Sequence, residues 1–402
     1  MTDGFGSDYF DQIIRREGTG STKYDGRQAM FGKTDVIPAW VADMDFPAPP
    51  AVIEALMERA RHPIYGYTLY PDSLFEAIIE WMQRRHAWTV EREWIVMCPG
   101  VVPSLNAAVI AFTKPGESAV IQPPVYFPFF SAVTQTGRIL IQNPLKLENG
   151  RYTIDFDHLE QCLRGANVRL LLFCSPHNPV GRVWSSGELE QLLQIAEKYE
   201  LVIFSDEIHA DLIYPGHQHT VLATLEGSES RVITAMAPSK TFNIPGLNLS
   251  ALIIPDKALR KTITDVFNTW HVSASNPFSV TAFETAYREG EAWLEALCIY
   301  LRATRDAVAV FLTEHLPQIR LISPEGTYLL WLDCNALNMS DAGLRHFFIH
   351  EAAVGMSPGT LFGMAGNGFM RLNIGAPREI IMQVLSNIRE ALSRIDQKHP
   401  GG

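Results

Sequence analysis

Short apolar runs alternate with amphipathic stretches between about residues 95 and 255. Each run has the length of a β-strand and ends near a proline, a glycine or an acidic residue. Several of the stretches between them have helical spacing, and the clearest one begins with Ser185 and Glu188, as in a capping box. The apolar runs are "WIVMCPG", "SAVIQPP", "RILIQNP", "VRLLLFCSP", "LVIFSDE", "RVITAMAPS" and "LSALIIP". This alternation predicts an α/β fold, with a mostly parallel sheet and helices on both of its faces.

The pattern changes after about residue 285. A long helical pattern over 291–315 is followed by the strand patterns "TYLLWLDC" and "GFMRLNIG" and by a final helix from about 377. These elements predict a second, smaller α+β domain. We therefore expect an N-terminal segment (1–49) that joins the small domain, a large domain (50–285) and a small C-terminal domain (286–402).

Composition and charge narrow the classes of function. The 402 residues are 47% hydrophobic and 19% charged, which is typical of globular proteins. A net charge of -11 without a Lys/Arg run argues against nucleic-acid binding, and no apolar run is long enough for a membrane span. The start of the chain lacks a signal pattern, the five cysteines are scattered without C-x-x-C, and the twelve histidines include no H-E-x-x-H. These features predict a reduced, cytoplasmic protein without a metal site.

Three predicted strands deliver polar residues just past their carboxyl ends, where parallel sheets bind ligands. "LVIFSDEIHADL" places Asp206 there, "RLLLFCSPHNPVG" places Asn178, and "RVITAMAPSK" delivers Lys240 in a polar turn. Each residue alone has an ordinary explanation, as a helix cap, a turn residue and a surface lysine. Together they suit pyridoxal phosphate, because a desolvated lysine amine forms a Schiff base with an aldehyde and a buried aspartate keeps a pyridine nitrogen protonated.

A phosphate site and a ring-stacking residue complete this hypothesis. In "CPGVVPSLNAAVIAF", Gly100 permits close approach, and the free N–H groups around Val101 and Val102 face a phosphate at the start of a helix. Tyr126 in "PPVYFPFF" is a candidate for stacking on the cofactor ring. The alternative for both features is ordinary core packing.

The quoted motifs resemble those of fold-type I pyridoxal-phosphate enzymes of the aminotransferase class I/II superfamily. "SPHNPVG", "SDEIHADL", "PSKTFNIPGL" and "MRLNIG" occur in that family's order, and the resemblance covers nearly the whole chain. "WVADMDFPAPPAVIEAL", "YGYT" and "SDEIHADL" are most similar to the cystathionine β-lyase branch, the MalY/PatB type of carbon–sulfur lyase. The resemblance implies the fold of pyridoxal-phosphate-dependent transferases.

The resemblance also assigns roles to particular positions. It implies that Lys240 carries the cofactor and later moves the proton, that Asp206 holds the pyridine nitrogen, and that Asn178 binds the ring hydroxyl. It implies further that Tyr126 stacks on the ring and contributes to the substrate site with Asn178.

Other positions are assigned to the phosphate, the substrate and a second subunit. Ser239 and the turn at Gly100, Val101 and Val102 are expected to bind phosphate, and Arg371 to bind the substrate α-carboxylate as a bidentate fork. Tyr67 matches a tyrosine that reaches the phosphate from the neighbouring subunit, so the resemblance implies a homodimer.

Two positions depart from the aminotransferase pattern. His209 occupies a cofactor-contacting position where many aminotransferases have tyrosine, and Asn248 replaces a phosphate-binding arginine. The lyase branch shares both changes, which favours a carbon–sulfur β-lyase that cleaves L-cystathionine or related cysteine S-conjugates to a thiol, pyruvate and ammonia.

Three alternatives stay open at this point. An aminotransferase shares every step up to removal of the Cα proton, and a regulator could use the same fold to sense a ligand. A nucleotide-binding α/β protein is the third, although no G-x-G-x-x-G follows a strand.

Overall fold

A computed structural model of the chain describes residues 5–165, 167–272 and 275–398. In chain order, its α-helices are α1 (Ser7–Phe10), α2 (Thr22–Asp25), α3 (Arg27–Phe31), α4 (Pro50–Arg61), α5 (Asp72–His86), α6 (Val101–Phe112), α7 (Pro128–Thr134), α8 (Phe156–Leu163), α9 (Ser186–Lys198), α10 (Pro238–Thr241), α11 (Lys257–Thr269), α12 (Pro277–Glu289), α13 (Glu291–His315), α14 (Asp341–His346) and α15 (Arg378–Lys398).

The strands follow the same chain order. They are β1 (Ile37–Ala39), β2 (Ile95–Cys98), β3 (Ser118–Ile121), β4 (Ile139–Gln142), β5 (Lys146–Glu148), β6 (Arg151–Thr153), β7 (Val168–Cys174), β8 (Val202–Asp206), β9 (Val232–Met236), β10 (Ser250–Ile253), β11 (Arg320–Ile322), β12 (Leu329–Asp333), β13 (Val354–Pro358) and β14 (Phe369–Asn373). Short 3-10 helices and one π-helical turn, Phe347–Glu351, lie among them.

The seven apolar runs of the sequence form one seven-stranded sheet. Its order is β2-β10-β9-β8-β7-β3-β4, and all of its pairs are parallel except those that β10 makes with β2 and β9. The predicted mostly parallel sheet is therefore confirmed. So is the capping box of α9, in which Ser185 and Glu188 each accept a backbone hydrogen bond from the other residue.

Helices cover both faces of this sheet because its central strands are apolar on both sides. In β7, Leu170 and Leu172 belong to one buried core with residues of α6, α7 and α11, whereas Leu171 and Phe173 belong to a second core with residues of α5, α9 and α12. All four side chains are at most 1% exposed, and burial of each contributes about 2 kcal/mol. The two-residue period of the strand thus fixes two helical layers.

A second sheet has the order β1-β13-β14-β12-β11. β1 pairs with β13 in parallel, whereas the other neighbours are antiparallel. The predicted strands of "TYLLWLDC" and "GFMRLNIG" are β12 and β14, while β1, β11 and β13 and the hairpin β5–β6 went unpredicted because they are short or weakly patterned. The N-terminal strand β1 thus lies in the small sheet, and the boundaries at 49 and 285 stay a prediction.

The register of the large sheet brings three strand ends together. Cys174 at the end of β7 is opposite Asp206 at the end of β8, and Asp206 is opposite Ala235 near the end of β9. The segments that follow these strands therefore start side by side, and they carry Asn178 and Lys240. Among the described helices, none is long and apolar enough to cross a membrane.

Candidate active site

A cavity of about 460 Å³ lies at these three strand ends, and we call it the central cavity. Its lining includes nine of the residues predicted from the sequence: Gly100, Val101, Val102, Tyr126, Asn178, Asp206, His209, Ser239 and Lys240. Residues from more than 100 positions apart in the chain are thus brought to one place. Their predicted roles toward a ligand stay predictions.

Lys240 lies four residues beyond the end of β9, in the short helix α10. The predicted polar turn is therefore wrong in detail; Pro238, at the first helical position, has the backbone angle that starts a helix. The Lys240 ammonium Nζ donates a 2.6 Å hydrogen bond to the carbonyl oxygen of Ala42. Burial lowers the pKa of Lys240 to about 8, although Asp43 and Asp206 favour the charged form. An amine with such a pKa is partly unprotonated near neutral pH and can act as a base.

Asp206 ends β8 and is only 6% exposed. Within the described ranges its carboxylate accepts one hydrogen bond, from the Ile208 N–H at 3.3 Å. Burial raises the pKa of Asp206 to about 7, against the smaller opposing effects of this hydrogen bond and of Lys240. A buried carboxyl with so little compensation is suited to a cationic partner supplied by a ligand.

Arg371 lies on β14 of the small sheet, yet it reaches the strand ends of the large one. Its Nη1 donates to Asn178 Oδ1 at 3.0 Å, and its Nη2 donates to the carbonyl oxygen of Trp40 at 2.8 Å. The guanidinium is buried, which lowers its pKa to about 10, and its Nε has no hydrogen-bond partner in the described part of the chain. A carboxylate that pairs with this free edge would satisfy the remaining donor in a planar, bidentate geometry.

Two aromatic rings line the same cavity. The Tyr126 N–H donates to the carbonyl oxygen of Asn178 at 3.1 Å, and burial raises the pKa of the Tyr126 hydroxyl. Burial, reinforced by the charges of Lys240 and Arg371, lowers the pKa of His209 to about 3, so this imidazole is neutral at pH 7. His209 Nδ1 has no hydrogen-bond partner, and the ring stands edge-on to Tyr328, with centroids 6.0 Å apart.

The start of α6 is the turn for which the sequence predicts phosphate binding. Gly100 has φ of +139°, a conformation that favours glycine, and a Cβ there would contact only Pro103 Cδ, at 3.6 Å. The N–H groups of Val101 and Val102 are the first of the helix and so have no intrahelical acceptor, and no side chain of the described residues caps them. These donors and the helix dipole suit an anion.

Tyr67 is the one predicted site residue that lies apart from the others. It is fully exposed, in an irregular stretch with three other exposed large hydrophobic residues, Ile64, Tyr65 and Leu69. It does not line the central cavity of its own chain.

The segment 40–46 also belongs to the site, which reasoning from side-chain chemistry missed. The Ala42 carbonyl oxygen accepts from Lys240 and from the Tyr328 hydroxyl, while Trp40 supplies the acceptor for Arg371. Asn243 fixes the segment, because its amide accepts from the Met44 N–H and donates to the carbonyl oxygens of Met44 and Phe46. Backbone carbonyls leave no mark in a sequence; only the resemblance of "WVADMDF" to a known branch marked this stretch.

The unsatisfied groups of the central cavity fit pyridoxal phosphate. Asp206 would hold the ring nitrogen, the turn at Gly100 would hold the phosphate, and the Lys240 amine would meet the aldehyde. Among the described residues, no group of three or more His, Cys, Asp or Glu side chains is arranged to hold a metal ion.

The fold and this set of residues define a fold-type I pyridoxal-phosphate enzyme. The chain belongs to the aminotransferase class I and II family, whose family model matches residues 35–388. This confirms the family and the fold predicted from the motifs.

Individual relatives resemble the chain over nearly its whole length. It is 43% identical to cystathionine beta-lyase PatB of Bacillus subtilis, over 96% of this chain and 100% of that protein. It is 30% identical to protein MalY of Escherichia coli, over 96% and 99%. The solved structure of cystalysin from Treponema denticola, which contains a pyridoxal 5'-phosphate cofactor, has a TM-score of 0.93 and 38% identity, over 96% of this chain and 99% of that one.

Proposed function

We propose that the protein is a pyridoxal-phosphate-dependent carbon–sulfur β-lyase. It cleaves L-cystathionine or a related cysteine S-conjugate to a thiol, pyruvate and ammonia. The observation that carries the proposal is that Lys240 and Asp206 line the central cavity, where Arg371 is bonded to Asn178 of the same lining, in a chain 43% identical to a cystathionine beta-lyase.

The cofactor, when bound, supplies an electron sink for the pair left when Cα loses its proton. The chain supplies the rest. Asp206, buried and poor in hydrogen bonds, holds positive charge on the ring nitrogen. Arg371, oriented by Asn178, binds the substrate α-carboxylate and so fixes the position of Cα.

Lys240 then takes the Cα proton. Its lowered pKa of about 8 leaves a useful fraction of free amine near neutral pH, and the Ala42 carbonyl oxygen holds Nζ in place by accepting its hydrogen bond. The sulfur leaves as a thiolate from Cβ, and the remaining amino-acrylate hydrolyses to pyruvate and ammonia.

A homodimer and a reducing, cytoplasmic setting are part of the proposal. The exposed apolar residues around Tyr67 support a subunit contact that would cover them. The five cysteines are free thiols, and Cys98, Cys174 and Cys334 are buried, which supports a reducing compartment.

Product analysis with L-cystathionine and no added keto acid tests the proposal. A β-lyase yields pyruvate, ammonia and thiol in equal amounts. Conversion only when a keto acid is supplied would identify an aminotransferase instead. Inactivity in both assays, with cofactor still bound, would favour the regulator.

A further inference from the structure

A second cavity, of about 570 Å³, adjoins the central cavity, and we call it the mouth cavity. The two share Ala42, Lys240 and Pro245, so both reach the proposed reacting amine. The N-terminal part of the chain forms most of the additional wall, through Ile14, Arg16, Ser21, Thr22 and 41–47.

A cluster of paired charges lies in this wall. Arg16 pairs with Asp43 through two contacts, Nη2–Oδ2 at 2.8 Å and Nη1–Oδ1 at 3.1 Å, and Nη1 also meets Asp45 Oδ1 at 2.6 Å. The ammonium of Lys23, which is buried and does not line the mouth cavity, donates to Asp45 Oδ2 at 2.8 Å. Two cationic and two anionic groups therefore balance each other, and we call them the mouth cluster.

The mouth cluster is open to the cavity and close to the chemistry. The side chains of Arg16 and Asp43 are 22% and 16% exposed, whereas that of Lys23 is fully buried. Asp43 is the charged group that acts most strongly on Lys240, raising the pKa that burial lowers. A substrate bound at Lys240 thus extends past a site that presents both signs of charge.

The rest of the mouth cavity offers a different surface. Met44, Phe46, Pro47 and Ile14 are apolar and offer a surface for the methylene groups of a substrate. Arg371 does not line the mouth cavity; it is buried, and it donates to Asn178 and to the carbonyl oxygen of Trp40. We therefore assign Arg371 to the α-carboxylate and the mouth cluster to charges beyond the sulfur.

We propose that the mouth cluster is a subsite for the zwitterionic far end of a cystathionine-like substrate. Arg16 binds the far carboxylate, and Asp43 with Asp45 binds the far ammonium. The inference rests on the proposed lyase activity and deepens it, because it names substrates with an amino-acid group beyond the sulfur. Binding exchanges salt bridges within the mouth cluster for contacts with the far carboxylate and the far ammonium, and an analogue that lacks these charges makes no such contacts.

Four substrates of the wild-type holoenzyme test the subsite without any mutation. All four have the same reacting end. L-Cystathionine carries both far charges, S-(3-carboxypropyl)-L-cysteine lacks the ammonium, S-(3-aminopropyl)-L-cysteine lacks the carboxylate, and S-propyl-L-cysteine lacks both. We expect kcat/KM to fall by about tenfold for each far charge removed, mostly through KM. Values within about threefold of one another for all four substrates would overturn the proposal.

Variants then assign the subsite to its residues. Arg16→Gln should lower kcat/KM for L-cystathionine by about tenfold and leave S-propyl-L-cysteine within about threefold, while Arg16→Lys recovers part of the loss. Arg15→Gln is the matched control, because this neighbouring arginine is 85% exposed and should change neither substrate. An equal loss for both substrates would refute the role of Arg16.

The failure of the lyase and the failure of the subsite are distinguishable. If none of the four compounds yields pyruvate, the proposed activity falls. Their dissociation constants, measured from the change in cofactor absorbance on binding, then decide the subsite alone. Dissociation constants that rise with each far charge removed support the subsite, and equal dissociation constants overturn it.

Discussion

Three buried acids lie at or just after the end of β8, and their surroundings differ. Asp206 faces the central cavity, where one hydrogen bond reaches it. Asp211 lines a different region that we call the histidine cavity, of about 400 Å³, together with His86, His217 and His219, and this lining shares no residue with that of the central cavity. Glu207 contacts His219 of this lining.

Asp211 and Glu207 each have several hydrogen-bond or ionic partners. Asp211 accepts hydrogen bonds from Thr241 Oγ1 at 2.8 Å, from Trp81 Nε1 at 3.3 Å, and lies 3.0 Å from His86 Nε2. Burial alone would raise the pKa of Asp211, but the hydrogen bond and charge of His86, helped by Thr241, lower it. Glu207 likewise contacts His219, Ser205 and the Leu222 N–H.

The comparison separates scaffold from active site. A buried charge with several partners is costly to disturb and holds elements together, whereas a buried charge with few partners costs stability until a ligand supplies the missing one. Asp211 ties helix α5 to Thr241, which is the residue after Lys240. Because Asp211 holds these elements together, Asp206 and Lys240 can have few hydrogen-bond and ionic partners of their own without loosening the site.

The largest effect is expected for Lys240→Ala. Removal of the amine should lower β-lyase activity by at least about a thousandfold, because Lys240 is the residue that we assign to moving the Cα proton. The bound-cofactor absorbance should be lost as well. Between the cofactor-free forms of the variant and the wild type, the melting temperature should stay equal or rise, since the buried amine carries a depressed pKa. Lys261→Ala, at a 75% exposed side chain, is the control and should retain full activity.

Asp206→Asn should reduce activity by about a hundredfold while the cofactor-free protein stays at least as stable as the wild type. The amide keeps the shape but cannot hold positive charge on a ring nitrogen. Steady-state kinetics and denaturant unfolding measure the two quantities. A clear loss of stability would show that Asp206 belongs with the scaffold acids.

Asp211→Asn should show the opposite pattern. Loss of this charge removes the partner of His86 and weakens the bond to Thr241, so we expect the free energy of unfolding to fall by about 3 kcal/mol. Activity per folded molecule should change less than for Asp206→Asn. If the order is reversed, with activity lost and stability kept, the distinction between the two acids is wrong.

The pH dependence of stability gives the most specific effect, and the smallest one when it is compared per pH unit. Because the pKa of Asp206 is raised to about 7, its favourable contribution to cofactor-free stability is present at low pH and disappears as pH rises to 7. The free energy of unfolding of Asp206→Asn minus that of wild type should therefore increase by about 1.4 kcal/mol per pH unit between about pH 4 and pH 7. The lowered pKa values of His209 and His177 act oppositely in this range, but they are common to both proteins and cancel. A flat difference would contradict the raised pKa of Asp206.

The sequence alone could predict the large sheet and its chemistry because both leave local marks. Strong apolar runs predicted all seven strands. Asp206 is the last residue of one of them, and Asn178 and Lys240 each lie four residues beyond the end of another. Arg371 was assigned only through the resemblance, since an arginine on a strand has no local mark of its partner. Its contact with Asn178, 193 positions away, depends on how two sheets pack.

Other features had no local signal at all. β1 has only three residues, β13 (VGMSP) has no strong apolar run, and their pairing is between positions more than 300 residues apart. The mouth cluster joins Arg16 to Asp43 and Asp45, three charged residues of a kind that is common in surface segments. Whether an acid is compensated, as Asp211 is, depends on partners such as His86 and Thr241, which only the folded chain brings together.

The placement of Arg371 on the last strand has a consequence for the order in which a growing chain becomes an enzyme. Its hydrogen bond to Trp40 joins positions 331 residues apart, and β14 must first pair with β12 and β13. A ribosome has therefore made Lys240, Asp206 and the turn at Gly100 long before the carboxylate fork exists. During synthesis the chain can complete its cofactor-facing half first, and it becomes able to select a substrate only when its last tenth has emerged.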